Sequence, residues 1–188
     1  MEMTLTKNFW TNVHTLLFGN SNVVGYLESS SNAFAGAYSM YTIGNFKDTS
    51  GTTRTQVAGE VGNYAYAYAL SLFAFNNSSQ YGSYFAVGSG TTAATVDDYA
   101  IEQSIANATV NARGQNSADG SVTFHVNVTA TDDISVSEIC LLKKLTTRTT
   151  AGSEFAVLIG RAVLDTPVAL ASGESKTFDV TISLPMPA

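Results

Sequence analysis

One cysteine in 188 residues excludes an internal disulfide framework. Cys140 lies in the apolar run 139–142, where a thiol reads as a small core residue. Two histidines leave little for acid–base or metal chemistry. His14 falls on an expected N-terminal helix and His125 on the polar side of an expected strand, and neither has a serine or cysteine in a nucleophile-elbow context nearby. Only 13% of residues are charged, with 9 Lys and Arg against 15 Asp and Glu, for a net charge of −6. Without clustered cations there is no counterion release to drive nucleic-acid binding. The first twenty residues lack a basic start, a long apolar run and a small-residue cleavage site, so they read neither as a secretory signal nor as a membrane span. The expected place of synthesis is the cytoplasm of the producing cell.

What is present is alternation. Val122, Phe124, Val126 and Val128 alternate with Thr123, His125, Asn127 and Thr129, the period of a strand with one dry and one wet face. Phe178, Val180, Ile182 and Leu184 repeat the pattern. Between them, residues 134–142 and 155–164 are rich in Val, Ile and Leu, as strands buried on both faces should be. Residues 81–87 and 101–110 read as further strands, and 112–120 as a polar turn. The expected fold is mainly β: an antiparallel β-sandwich, jelly-roll or immunoglobulin-like, over residues 61–188.

Residues 1–60 read as a short helix followed by a Ser/Asn/Tyr-rich arm. Leu5, Phe9, Val13, Leu16 and Leu17 recur at three-and-four spacing with Trp10 beside them, which predicts an amphipathic helix over 5–18, starting after Thr4 or Thr6. Packing on its own domain and docking on a neighbouring subunit both suit it; in the second case Phe9, Trp10, Val13 and Leu17 are interface residues. Over 63–75, Tyr64, Tyr66 and Tyr68 alternate with alanines, favouring a strand over an alanine-rich helix. This aromatic row suits core, interface or stacking on sugars.

No constellation in the chain suits catalysis or a cofactor. The G-S-G-T-T run at 88–92 lacks the lysine and spacing of a phosphate loop and reads as a structural loop. Asp97 with Asp98, and Asp132 with Asp133, lack the further spaced oxygens of a calcium loop and read as backbone caps. Glu138, among apolar residues, needs a partner, and Arg161, in an equally apolar run, supplies one if their strands are neighbours. The expectation is a buried ion pair or two exposed positions, and no enzyme.

The order VGSGTTAATVDDYAIEQ, then ISVSEICLL, then LIGRAVLDTPVALASGESKTFDVTISL resembles a pattern found in small virion structural proteins of tailed bacteriophages. The resemblance spans residues 62–185. It implies a loop built from Gly88, Gly90, Thr91, Thr92 and Asp98, polar positions at Glu138 and Arg161, and a last turn at Gly173 and Glu174. Cys140 stands where the pattern usually has glycine. The implied role is structural, on the capsid, neck or tail, with other copies and other virion proteins (capsid, portal or tail) as partners and neither nucleic acid nor membrane. The alternative is a carbohydrate- or receptor-binding module of a tail fibre.

Overall fold

The computed structural model describes residues 1–10, 41–58, 83–116, 121–146 and 154–183. The chain is mainly β. In order the strands are β1 (Thr4–Leu5), β2 (Tyr41–Lys47), β3 (Thr53–Ala58), β4 (Ser83–Gly88), β5 (Ala108–Asn116), β6 (Ser121–Ala130), β7 (Ile134–Thr146), β8 (Glu154–Leu170) and β9 (Ser175–Ser183). They form a four-stranded sheet in the order β1-β8-β7-β4, a three-stranded sheet β5-β6-β9 and the hairpin β2-β3, each antiparallel.

The four strands expected in the C-terminal third are all present, but they are not one run of hairpins. β6 pairs with β9 and β7 with β8, so the chain leaves one sheet at residues 131–133 and returns to it at 171–174. Alternation decides what each sheet buries. Phe124, Val126, Val128, Phe178, Val180 and Ile182 from the three-stranded sheet share one core with Phe85, Val87, Ile139, Leu141, Val157 and Ile159 from the four-stranded one.

β7 is buried on both faces, as its continuous apolar run requires. Ile139 and Leu141 enter the main core, while Cys140 and Leu142 join Leu158 in a smaller cluster on the opposite face. Alternation along β7 sets these directions, and β8 pairs with it through two irregularities. One falls where Leu141 pairs with Gly160 and Leu142 with Leu158; the other leaves residues 164–167 without partners on β7.

Three expectations are corrected. Leu5 is not the first residue of a helical stripe but part of β1, with Thr4 opposite Arg161 and Leu5 opposite Gly160. The N-terminal helix over 5–18 is therefore unsupported: only residues 7–10 make a helical turn, and 11–18 lie outside the described residues. Phe9 packs on its own domain: it is 1% exposed in the main core, with Met3, Leu5 and Phe46. The turn expected over 112–120 starts too early, because β5 runs to Asn116 and pairs with β6 along its length. Conversely, residues 101–107 are not strand apart from a bridge at Ser104.

Residues 1–6 join the two larger sheets at their edges. Met3 N–H donates to Thr181 O and Thr181 N–H to Met1 O, along β9, and Thr6 N–H then donates to Ile159 O on β8. One short segment so covers two edges that would otherwise present unpaired backbone groups.

Candidate functional site

The loop motif meets Glu138 and Arg161 on the outer face of the four-stranded sheet, while Gly173 and Glu174 stand apart at the β8–β9 turn. Residues 89–103 form a compact loop with closed ends: Ser89 N–H donates to Gln103 O at 2.8 Å, and Ile105 N–H to Val87 O at 3.0 Å. Ile101 lies on the Cys140, Leu142 and Leu158 cluster, so the loop covers apolar surface the main core does not reach.

Beneath this loop lies Glu138, with no exposed surface. Its Oε1 accepts the N–H groups of Gly90 (3.1 Å) and Gln103 (2.9 Å); its Oε2 accepts Glu102 N–H (3.2 Å) and Arg161 Nε (2.7 Å). Four donors match the roughly four lone-pair directions of a carboxylate. Arg161, 3% exposed, uses each nitrogen on a different acid: Nε on Glu138, Nη1 on Asp98 at 3.0 Å and Nη2 on Glu102 at 2.9 Å. Neighbouring strands bring the pair together, since Glu138 stands opposite Val163 and Cys140 opposite Arg161.

The outer acids are fixed in turn by the loop. Thr92 donates to Glu102 through its N–H and its hydroxyl, and Thr95 does the same to Asp98. Gly88 faces Glu138 across the ladder, and a Cβ there would stand 2.3 Å from Glu138 Oε1 and 2.5 Å from Gln103 O. Only glycine leaves that space. Ser137 Oγ donates to Gly90 O at 2.9 Å, tying down the other glycine of the motif.

Electrostatics follow from this geometry. Burial works against the Arg161 cation, but the hydrogen bonds and charges of Glu138 and Asp98 outweigh it and raise the guanidinium above its ordinary pKa. Burial likewise opposes ionisation of Asp98, yet Thr95 and Arg161 hold its carboxyl below the usual range. Hydrogen bonds from Thr92, aided by Arg161, lower Glu102. Burial, then the Glu138 charge, pushes the Cys140 thiol up, the opposite of what a reactive cysteine needs. Lys143, buried in β7, is brought down to about 8 by desolvation.

Arg161 occupies the place where converging carboxylates would hold a cation. Among the described residues no grouping of three or more His, Cys, Asp or Glu could hold a metal, and no helix is long and apolar enough to cross a membrane. The paired aspartates act as local ties: Asp97 pairs with Lys7, and Asp133 Oδ1 accepts Ser172 N–H at 3.0 Å. Gly173, at φ +83, forms the β8–β9 turn with Glu174, whose Oε2 accepts Ala171 N–H. Thr91 is exposed beside Thr92 on the loop. His125 is on the polar face of β6, 2.7 Å from Asp179, and Trp10 is 45% exposed. His14, Val13, Leu17, Tyr64, Tyr66 and Tyr68 lie outside the described residues.

Glu102, Asp48 and Asn8 escaped the sequence reading. Glu102 is a plain acid in a polar stretch, marked only by its place four residues after Asp98. Asp48 had a signal in D-T-S-G-T: its Oδ1 accepts the N–H groups of Ser50 and Thr52, and its Oδ2 accepts Arg54 Nε at 2.8 Å. Burial opposes its ionisation, but these bonds prevail and bring its carboxyl to about 2. Asn8 is buried and bonds Lys47 O and Leu158 O through Nδ2, tying hairpin to sheet.

No known family model, curated protein or solved structure matches this chain. The resemblance to virion proteins rests on the motif residues themselves.

Proposed function

We propose that this chain is a structural component of a bacteriophage virion, made in the host cytoplasm and folded as a two-layer antiparallel β-sandwich. It assembles with its own copies or decorates the capsid, neck or tail, meeting capsid, portal or tail proteins. The observation that carries the reading is the convergence of the loop and strand motifs behind the resemblance. The G-S-G-T-T loop, Asp98, Glu138 and Arg161 form one network whose donors and acceptors hold the chain to itself. Such a network fixes a surface instead of presenting reactive groups to a ligand, which suits a protein whose task is to keep its shape in an assembly.

The test is the protein content of phage particles purified on a density gradient from the producing cells. Mass spectrometry is expected to find peptides of this chain at several copies per particle, co-sedimenting with the major capsid protein. Particles free of the chain would overturn the reading.

A further inference from the structure

The loop 89–103 is fastened to the body through carboxylates. Glu138 accepts the N–H groups of Gly90, Glu102 and Gln103, Arg161 donates to Asp98 and Glu102, and Lys7 Nζ pairs with Asp97. Its apolar hold is slight by comparison. Within the loop only Gly90 is buried, Ile101 is half-buried against Cys140, Leu142 and Leu158, and Val96 and Tyr99 are exposed. The loop is also tied by Lys7 N–H to Val96 O at 2.8 Å and by Ser137 Oγ to Gly90 O, and Lys47 Nζ stands 4.0 Å over the Tyr99 ring.

The fastening acids on the loop meet water while it is closed. The side chain of Asp97 is 70% exposed, that of Glu102 38% and that of Asp98 20%, whereas Glu138 beneath them has no exposed surface. Protons therefore reach the first three without any prior opening. The groups facing them are Arg161 on β8, Glu138 and Cys140 on β7, Lys7 on the turn 7–10, and Lys47 on β2 above Tyr99. Further along the same face Lys144 lies over Tyr84, and the hairpin keeps its own pair, Asp48 with Arg54. Protonation of the loop acids leaves Lys7 without its counter-charge and Arg161 with Glu138 alone. The core between the sheets is built from side chains such as Phe124, Val126, Ile139 and Val157, which take up no proton.

We propose that residues 89–103 are an acid-released strap: in acid they lift off while both sheets stay folded, and bare the face that carries Cys140, Leu142 and Leu158. The Ser89–Gln103 and Ile105–Val87 bonds close the neck, so the loop moves as one piece. With the loop closed, the Asp98 and Glu102 carboxyls lie below their ordinary range. Between the closed-loop values and the ordinary ones the open loop binds more protons. The hold is therefore complete above the ordinary carboxylate values of about 4 and is lost as pH falls through the closed-loop values. The strap goes beyond the virion reading and stands without it.

The experiment follows the full chain from neutral pH down to about 2.5, by hydrogen exchange with mass spectrometry and by labelling of Cys140 with 4,4′-dithiodipyridine. Each rate is taken relative to the chain unfolded in urea at the same pH, which removes the pH dependence of the chemistry itself. Peptides over 89–103 are expected to lose protection, and Cys140 to gain reactivity by about tenfold or more, at a pH where β6 and β9 stay protected. Glu102→Gln, at an exposed position, is expected to move this opening to higher pH, and Asp179→Asn, on the other sheet, to leave it in place. Loop and sheets losing protection at the same pH, or a loop closed throughout, would overturn the strap. So would a Glu102→Gln chain that opens where the native chain does, or an Asp179→Asn chain shifted as far as Glu102→Gln. None of these results touches the virion reading, which the content of purified particles decides separately.

Discussion

At the scale of single residues, the Arg161 network makes predictions of direction and size. Replacing Arg161 by Met leaves Glu138 buried without its counter-charge, and urea unfolding is expected to register a loss of about 3–5 kcal/mol. Adding Glu138→Leu is expected to recover part of the loss, because the fully buried carboxylate is then gone, but Asp98 still lacks Arg161, and Gly90, Glu102 and Gln103 lose the acceptor of their N–H groups. Gly88 and Gly173 separate two reasons for glycine. At Gly88 a Cβ meets Glu138 and the Gln103 carbonyl, so Gly88→Ala is expected to cost about 1–3 kcal/mol and to raise hydrogen exchange over 89–103. At Gly173 nothing lies within 4 Å but φ is +83, so Gly173→Ala is expected to cost about 1 kcal/mol by backbone strain and to leave that loop protected.

Acid should unfold the protein through the same groups. The Asp48, Asp98 and Glu102 carboxyls all lie below their ordinary values in the folded chain. Between the unfolded and folded values the unfolded chain binds more protons. Their stabilisation is therefore complete above pH of about 5 and lost as pH falls through the folded values, towards about 2 for Asp48. A urea midpoint that falls from pH 5 to 2.5, less steeply in Asp48→Asn, is the expected result; an identical slope in the variant would contradict it.

At the scale of elements, the segment with most consequence is the shortest. Residues 1–6 pair with β9 and then β8, and place Met3 against Gly160, where a Cβ would stand 2.5 Å from Met3 Sδ. Removing them strips Met3 and Leu5 from the core, about 3–6 kcal/mol at about 1.5–3 kcal/mol for each side chain, and opens two strand edges. A lower urea midpoint with concentration-dependent aggregation is expected; an unchanged midpoint would contradict this role. β1 also shows where a sequence stops being legible. Leu5 belongs to an apolar spacing that fits a helix, and only pairing with a β8 residue more than 150 positions away makes it strand. β6 and β9 could be read from alternation alone, since each has one dry and one wet face. Their pairing with each other could not, because short turns after β6 and β8 are equally compatible with hairpins. The extension of β5 through Gly114 and Asn116 was hidden by residues that usually mark turns, and nine consecutive pairings with β6 override them. Glu138 and Arg161 were conspicuous as charges in apolar runs. Glu102 was not, since an acid among polar residues carries no such contrast.

At the scale of the whole molecule, two sheets share one core and a pinned loop covers the outer face of the larger sheet. A surface held in this way suits repeated contact with neighbours, where a modest apolar area at about 25 cal/mol per Å2 accumulates over many copies. The most direct measurement is a cryo-EM map of the intact phage particle, with sequence assigned to every ordered density. The prediction is this β body in repeated, symmetry-related positions. A complete map in which every repeated density belongs to other chains would contradict it.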